Sequence, residues 1–142
     1  MPWSQRIIQL EGRPAQVLID DRFSSLAPVA ELPRLARFGV FCRRDSGGGF
    51  WDPVETSSLD ALEEDLIRLC GQFGRGCAAY VMRIDTRGLR EYFVYSGGAA
   101  ALAEVRSVLR GAHPDYRIDY EETTDADWDR YTTFLPDYRP LV

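Results

Sequence analysis

The chain contains no lysine and no asparagine; all 17 of its basic residues are arginine, and it has a single histidine and three cysteines. Without lysine, Schiff-base chemistry, a phosphate-loop lysine and an amine nucleophile are all excluded. Cys42, Cys70 and Cys77 are odd in number and have no Cys-x-x-Cys spacing, so they suggest neither a disulfide framework nor a zinc site. They read as small buried apolar residues in a reducing compartment. A serine triad or a cysteine–histidine pair would have to be built on His113, yet no Gly-x-Ser-x-Gly elbow is present. Its place between a helix end and Pro114 gives it a structural role, as a cation at a helix carboxyl terminus. No Gly-x-Gly-x-x-Gly occurs, and the triplet Gly47 to Gly49 lies several residues before the next helix, so it reads as a loop rather than a phosphate cradle and no cofactor is expected. No stretch approaches the ~20 apolar residues of a membrane span, and Met1 to Arg6 lacks the basic head and apolar run of a signal peptide. A cytoplasmic protein without membrane contact is expected.

What the chain does have is enough apolar material for a core. Its 142 residues are 45% hydrophobic and 12% aromatic, which fits one domain spanning residues 1 to 142. Twenty-two acidic residues give a net charge of −5. That balance repels phosphate backbones and makes a basic protein partner the better match than nucleic acid.

The stretch Tyr80 to Tyr95 organises the rest. It reads as two strands rich in aromatic and branched residues, with Gly88 supplying positive φ at the end of a three-residue loop. In that register Asp85 faces Leu89, Arg83 faces Glu91 and Met82 faces Tyr92. One face then carries Tyr80, Met82, Ile84, Tyr92 and Val94; the other carries Val81, Leu89, Phe93 and Tyr95 around the Arg83/Glu91 pair. An amino-terminal hairpin is expected over Gln5 to Leu10 and Gln16 to Ile19, then a loop with a helical turn near Ser24. Leu35 to Cys42 alternates as a central strand, with Ala36, Phe38, Val40 and Cys42 on one side. A helix starts at Ser57, carries Leu59, Leu62, Leu66 and Leu69 on one stripe, and stops at Gly71. A second helix buries Leu102, Val105, Leu109 and Ala112 before Gly111 and Pro114 end it. Tyr116 to Tyr120 is the last strand. Thr123 to Asp125 then cap a short helix with Trp128, Tyr131 and Leu135 on one side. The order from Leu35 to Tyr120, βαββαβ, predicts an α+β fold of the ferredoxin-like, split βαβ kind with the first hairpin and last helix as additions.

Trp3, Ala27-Pro28, Leu32-Pro33, the run Arg83 to Tyr95, and Asp125 to Trp128 with Tyr131 and Leu135-Pro136 together resemble a bacterial family known as domain of unknown function 695. The likeness spans nearly the whole chain. The family's Asp-Pro-Glu-Trp stands here as Asp125-Ala126-Asp127-Trp128, which loses the proline but keeps the cap and the negative first turn. The resemblance implies no activity. Members look linked to domains similar to the regulator of ribonuclease E activity B, a small acidic inhibitor, which implies a protein-binding regulator by analogy alone.

On these grounds a non-catalytic binding or inhibitory regulator is expected, and no residue is assigned as catalytic or metal-ligating. The candidate contacts are Trp51, Arg83, Arg90, Glu122, Asp125, Trp128 and Tyr131. Trp51 stands in a glycine-rich loop without an apolar stripe, as a partner contact would. The acidic run Asp115 to Asp129 is a docking face for a basic partner or a solvated edge, and it lacks the calcium-loop order Asp-x-Asp-x-Asp-Gly. Trp128 and Tyr131 either form a binding cup with Trp51 or pack into the core. Two further readings stand beside the regulator. A small hydrolase-type enzyme would pair Glu122 or Asp125 with Arg83 or Arg90 in a cleft. An RNA-binding sheet face would use Phe41, Phe93 and Tyr95. A homodimer through an open sheet edge is also expected to be accessible.

Overall fold

The computed structural model describes residues 3–44, 49–74 and 78–135. Six strands form one sheet: β1 (Trp3–Leu10), β2 (Arg13–Asp20), β3 (Arg34–Phe41), β4 (Ala78–Thr86), β5 (Leu89–Ser96) and β6 (Arg117–Thr124). Their spatial order is β1-β2-β4-β5-β3-β6, and every neighbouring pair is antiparallel. Three helices complete the α+β architecture: α1 (Thr56–Gly74), α2 (Ala99–Ala112) and α3 (Asp129–Thr133).

The two long helices lie on one face because their apolar stripes must leave water. Leu59, Leu62, Leu66 and Leu69 of α1 and Leu102, Val105 and Leu109 of α2 are buried against Ala36, Phe38, Val40, Tyr92, Val94 and Ile118 of the sheet. Each such side chain contributes about 1.5–3 kcal/mol of hydrophobic stabilisation. Residue alternation puts Leu35, Arg37, Gly39 and Phe41 of β3 on the opposite face, as expected. On that face the carboxyl-terminal segment covers only half the sheet. Trp128, Tyr131 and Phe134 pack over Val17, Ile19, Met82, Ile84, Phe93 and Tyr95. The two coverings are therefore offset, and the described residues leave the outer side of β3 and β6 bare.

Several expected boundaries move. The helical turn of the long loop is Asp21–Phe23, earlier than Ser24, because Asp20 accepts the Arg22 N–H and starts it there. Helix α1 runs past Gly71, whose absent side chain meets nothing. Ala112 is exposed at the end of α2. Strand β6 continues four residues beyond Tyr120, because β3 offers partners as far as Arg34, opposite Thr124.

The main correction concerns the central hairpin. Its loop has two residues, Arg87 and Gly88, rather than three, so Thr86 faces Leu89, Asp85 faces Arg90, Arg83 faces Tyr92 and Met82 faces Phe93. A bulge between Tyr80 and Met82 restores the expected partner at Tyr80, which faces Val94. Gly88 does take positive φ, at 76°. Its carbonyl accepts the Cys42 N–H and its own N–H donates to the Phe50 carbonyl, so the tip is fixed by the end of β3 and the loop beyond it. A one-residue slip reverses faces. Met82 and Ile84 join the carboxyl-terminal core, Arg83 and Asp85 turn under the helices, and the Arg83/Glu91 pair does not form.

Candidate functional site

The bare corner of the sheet forms an open groove of about 780 Å³. Leu35, Phe41, Leu89 and Phe93 give it an apolar floor, and Arg37, Glu91, Asp119, Glu121, Asp125 and Arg130 surround that floor with charge. Arg37 lies across the centre. Its Nη1 is 3.1 Å from Glu91 on one neighbouring strand, and its Nε is 3.2 Å from Glu121 on the other. Gly39 makes this possible: a Cβ there would stand 2.6 Å from Arg37 Nη1. A glycine inside a strand commonly marks such a close approach. Arg117 lies over the Phe41 ring at 4.4 Å, and Arg130 over Phe93 at 5.2 Å. The aromatic rings an RNA base would stack on are thus already capped, and Tyr95 stacks on Trp128 at 4.1 Å.

A second charged group sits under the helices. Asp85 accepts from Arg83 Nε at 3.1 Å and Arg90 Nε at 2.8 Å, and Glu63 of α1 accepts from Arg83 Nη1 at 2.5 Å. The Arg90 guanidinium also lies 4.5 Å from the centre of the Trp51 ring, a cation–π contact that shields it from water. Burial favours loss of the Arg90 proton, but the Asp85 carboxylate and the neighbouring Tyr92 together outweigh it and hold this group above its ordinary range. Nearby, the buried Glu55 carboxylate accepts the backbone N–H groups of Arg43 and Arg44, fixing the chain after β3. Burial opposes its charge, yet the nearby Tyr116 hydroxyl and these backbone bonds hold its carboxyl below the usual range.

The expected contact residues fall into separate groups. Trp51, Arg83 and Arg90 come together on the helix face. Glu122 lies across the sheet on β6, where it accepts from Arg34 at 2.6 Å and from Tyr120 at 3.0 Å. Asp125, Trp128 and Tyr131 meet on the other face. Asp125 accepts from the Tyr95 hydroxyl at 2.6 Å and from the N–H groups of Asp129 and Arg130, so it caps α3 while pinning the segment to the sheet. Trp128 precedes the helix rather than lying within it; its φ of 58° is left-handed and its Nε1 donates to the Leu32 carbonyl at 2.9 Å. Tyr131 donates its hydroxyl to the Asp20 carbonyl. Both aromatic residues are core, on the face opposite Trp51, and form no cup with it. No described pocket joins Arg83 or Arg90 to Glu122 or Asp125.

His113 ends α2 and pairs with Asp65 of α1 at 2.7 Å, which ties the two helices. Among the described residues, no three His, Cys, Asp or Glu side chains converge as a metal centre requires. Burial pushes the Cys42 thiol up to about 11 and the Cys70 thiol up to about 12, so neither is a thiolate at neutral pH. Cys77 and the Gly47–Gly48 part of the loop lie outside the described residues.

Sequence reasoning placed Glu121 in the acidic run but missed Arg37, Gly39, Glu91 and Arg130. The one available signal was Gly39, a glycine in the middle of a strand beside an arginine two residues away. Asp85 and Glu63 were missed because their arginine partners depend on the hairpin register.

Residues 2–136 match the family model described as "Family of unknown function (DUF695)", and the chain belongs to that family. No curated protein and no solved structure matches it. No helix among the described residues is long and apolar enough to cross a membrane.

Proposed function

We propose that this protein is a non-catalytic, cytoplasmic regulator that binds a basic segment of a partner protein in the open groove. The observation that carries the reading is the groove's lining, in which Glu91, Asp119, Glu121 and Asp125 contribute carboxylates against the guanidiniums of Arg37 and Arg130. Arg117 on the rim pairs with Asp119 and leaves Glu121 the most open acceptor. A partner arginine would find a carboxylate beside an apolar floor, an arrangement that fixes orientation and raises the rate of encounter. We also read the core as ferredoxin-like. In its support, β6, β3, β5 and β4 lie in that spatial order and are joined as strand, helix, strand, strand, helix, strand. The bare face of such a core is a natural docking surface.

The test is binding of a labelled extended peptide of alternating arginine and threonine, compared with its glutamate counterpart, across a salt series. The basic peptide should bind with an affinity that falls as salt rises, and Glu121→Arg should remove most of that binding. Gly39→Ala should weaken it as well, because the Arg37 guanidinium must leave its place. Equal binding of the two peptides, or binding indifferent to Glu121→Arg, would overturn the proposal.

A further inference from the structure

The sheet has two edges, and they differ in what they would do to a copy of themselves. Strand β6 carries Arg117, Asp119, Glu121 and Glu122. Such charges discourage edge-to-edge pairing, since antiparallel self-pairing brings like carboxylates together. Among the described residues, strand β1 has none of the usual protections. Over eight residues it contains one charged side chain, Arg6, no proline, and no break in its pairing with β2. Arg6 is turned inward, where its Nη2 donates to the Phe134 carbonyl. Gln5, Ile7 and Gln9 point to the helix side of the sheet, beyond the reach of the helices, and Ile7 is 63% exposed.

We propose that β1 is a self-pairing edge through which two copies of this chain form a two-fold dimer with a continuous sheet. The register follows from parity, overlap and charge: centres at Arg6 and Ile7 pair the most residues of the strand, and charge chooses between them. A two-fold axis perpendicular to the sheet keeps each face on its own side, so only residues on the same face can stand opposite one another, and the axis must pass through a residue matched with itself. Centring on Arg6 would set it against the partner's Arg6, which costs like-charge repulsion. Centring on Ile7 sets it against the partner's Ile7, Gln5 against the partner's Gln9, and Arg6 against the partner's Ile8. Every pair is then neutral or singly charged. The dimer leaves both acidic grooves free, because they lie at the far edges of the joined sheet.

Sedimentation of the full chain over a concentration series tests this. Wild type should pass from monomer to dimer as concentration rises, while Ile7→Lys and Ile7→Glu, each folded with an unchanged melting midpoint, should remain monomers. Mixing the two variants should restore a dimer, because the self-matched position then holds opposite charges. Hydrogen exchange of wild type should show β1 amides losing protection on dilution while β6 amides do not. A wild type that stays monomeric at every concentration, a dimer that survives Ile7→Lys, or a mixture of the variants that fails to associate would overturn the proposal. So would dilution-dependent protection at β6 in place of β1.

Discussion

Two arginine–carboxylate networks lie on opposite faces of the same sheet, and burial separates their roles. Under the helices, Arg90 is 2% exposed and Asp85 1%; on the open face, Arg37 is 20% exposed and Glu121 73%. The chemistry is the same. A guanidinium withdrawn from water must keep its partner, because an unpaired buried charge is costly, whereas one at the surface can exchange its partner for water or for another molecule. The helix-face network therefore belongs to the fold, and the open-face network is free to recognise.

The largest effect is expected where that difference is greatest. Removing the carboxylate in Asp85→Ala leaves two buried guanidiniums without it and should destabilise the protein by roughly 3–5 kcal/mol. Arg37→Ala on the open face should cost no more than about 1 kcal/mol. Urea denaturation of the two variants measures the contrast, and similar losses for both would show that the faces do not differ as described. Trp128→Ala should cost about as much as the first, roughly 3–5 kcal/mol, because it empties the centre of the carboxyl-terminal cover and orphans the Leu32 carbonyl. A midpoint shift worth less than about 0.5 kcal/mol would place Trp128 outside the core.

A smaller effect sharpens the comparison through pH. The folded carboxyl of Glu55 titrates below its unfolded value of about 4.3. Its contribution is therefore complete above pH ~4.3 and is lost as pH falls through the lower folded value. At pH 7, Glu55→Gln should be less stable by about 1.5–3 kcal/mol, the range for hydrogen bonds to a charged group. The gap to wild type should narrow as pH falls below ~4, as thermal melts across pH 3–7 would show. A gap that stays constant with pH would mean that Glu55 acts through shape and not through charge.

Much of the fold was legible because its signals are local. The leucine stripe of α1 and the alternation of β3 need only the 3.6- and 2-residue periods, and both lie where periodicity placed them. The burial of Trp128 was legible for a related reason: a large aromatic beside Tyr131 in a terminal segment has to be covered by something. Its backbone was not, since the left-handed turn before α3 exists to let Asp125 reach both Tyr95 and the helix amino terminus. The groove was legible only in part. Asp125 and Glu121 were marked by the acidic run, while Arg37 looked like ordinary surface charge until three strands set it between Glu91 and Glu121.

Adjacent residues were enough to place most strands and helices, to put Gly88 at the turn of the central hairpin, and to give the chain more acid than base. Those are properties of neighbours along the chain. The hairpin register came from contacts distant in the chain, because the choice between a two- and a three-residue loop rests on bonds from Gly88 to Cys42 and Phe50, residues that lie more than thirty positions away. That single step turned Arg83 and Asp85 inward under the helices and left Glu91 outside to meet Arg37. Since adjacent residues of a strand point to opposite faces, a slip of one position, which no local pattern can detect, settled which charges hold the fold and which face the groove.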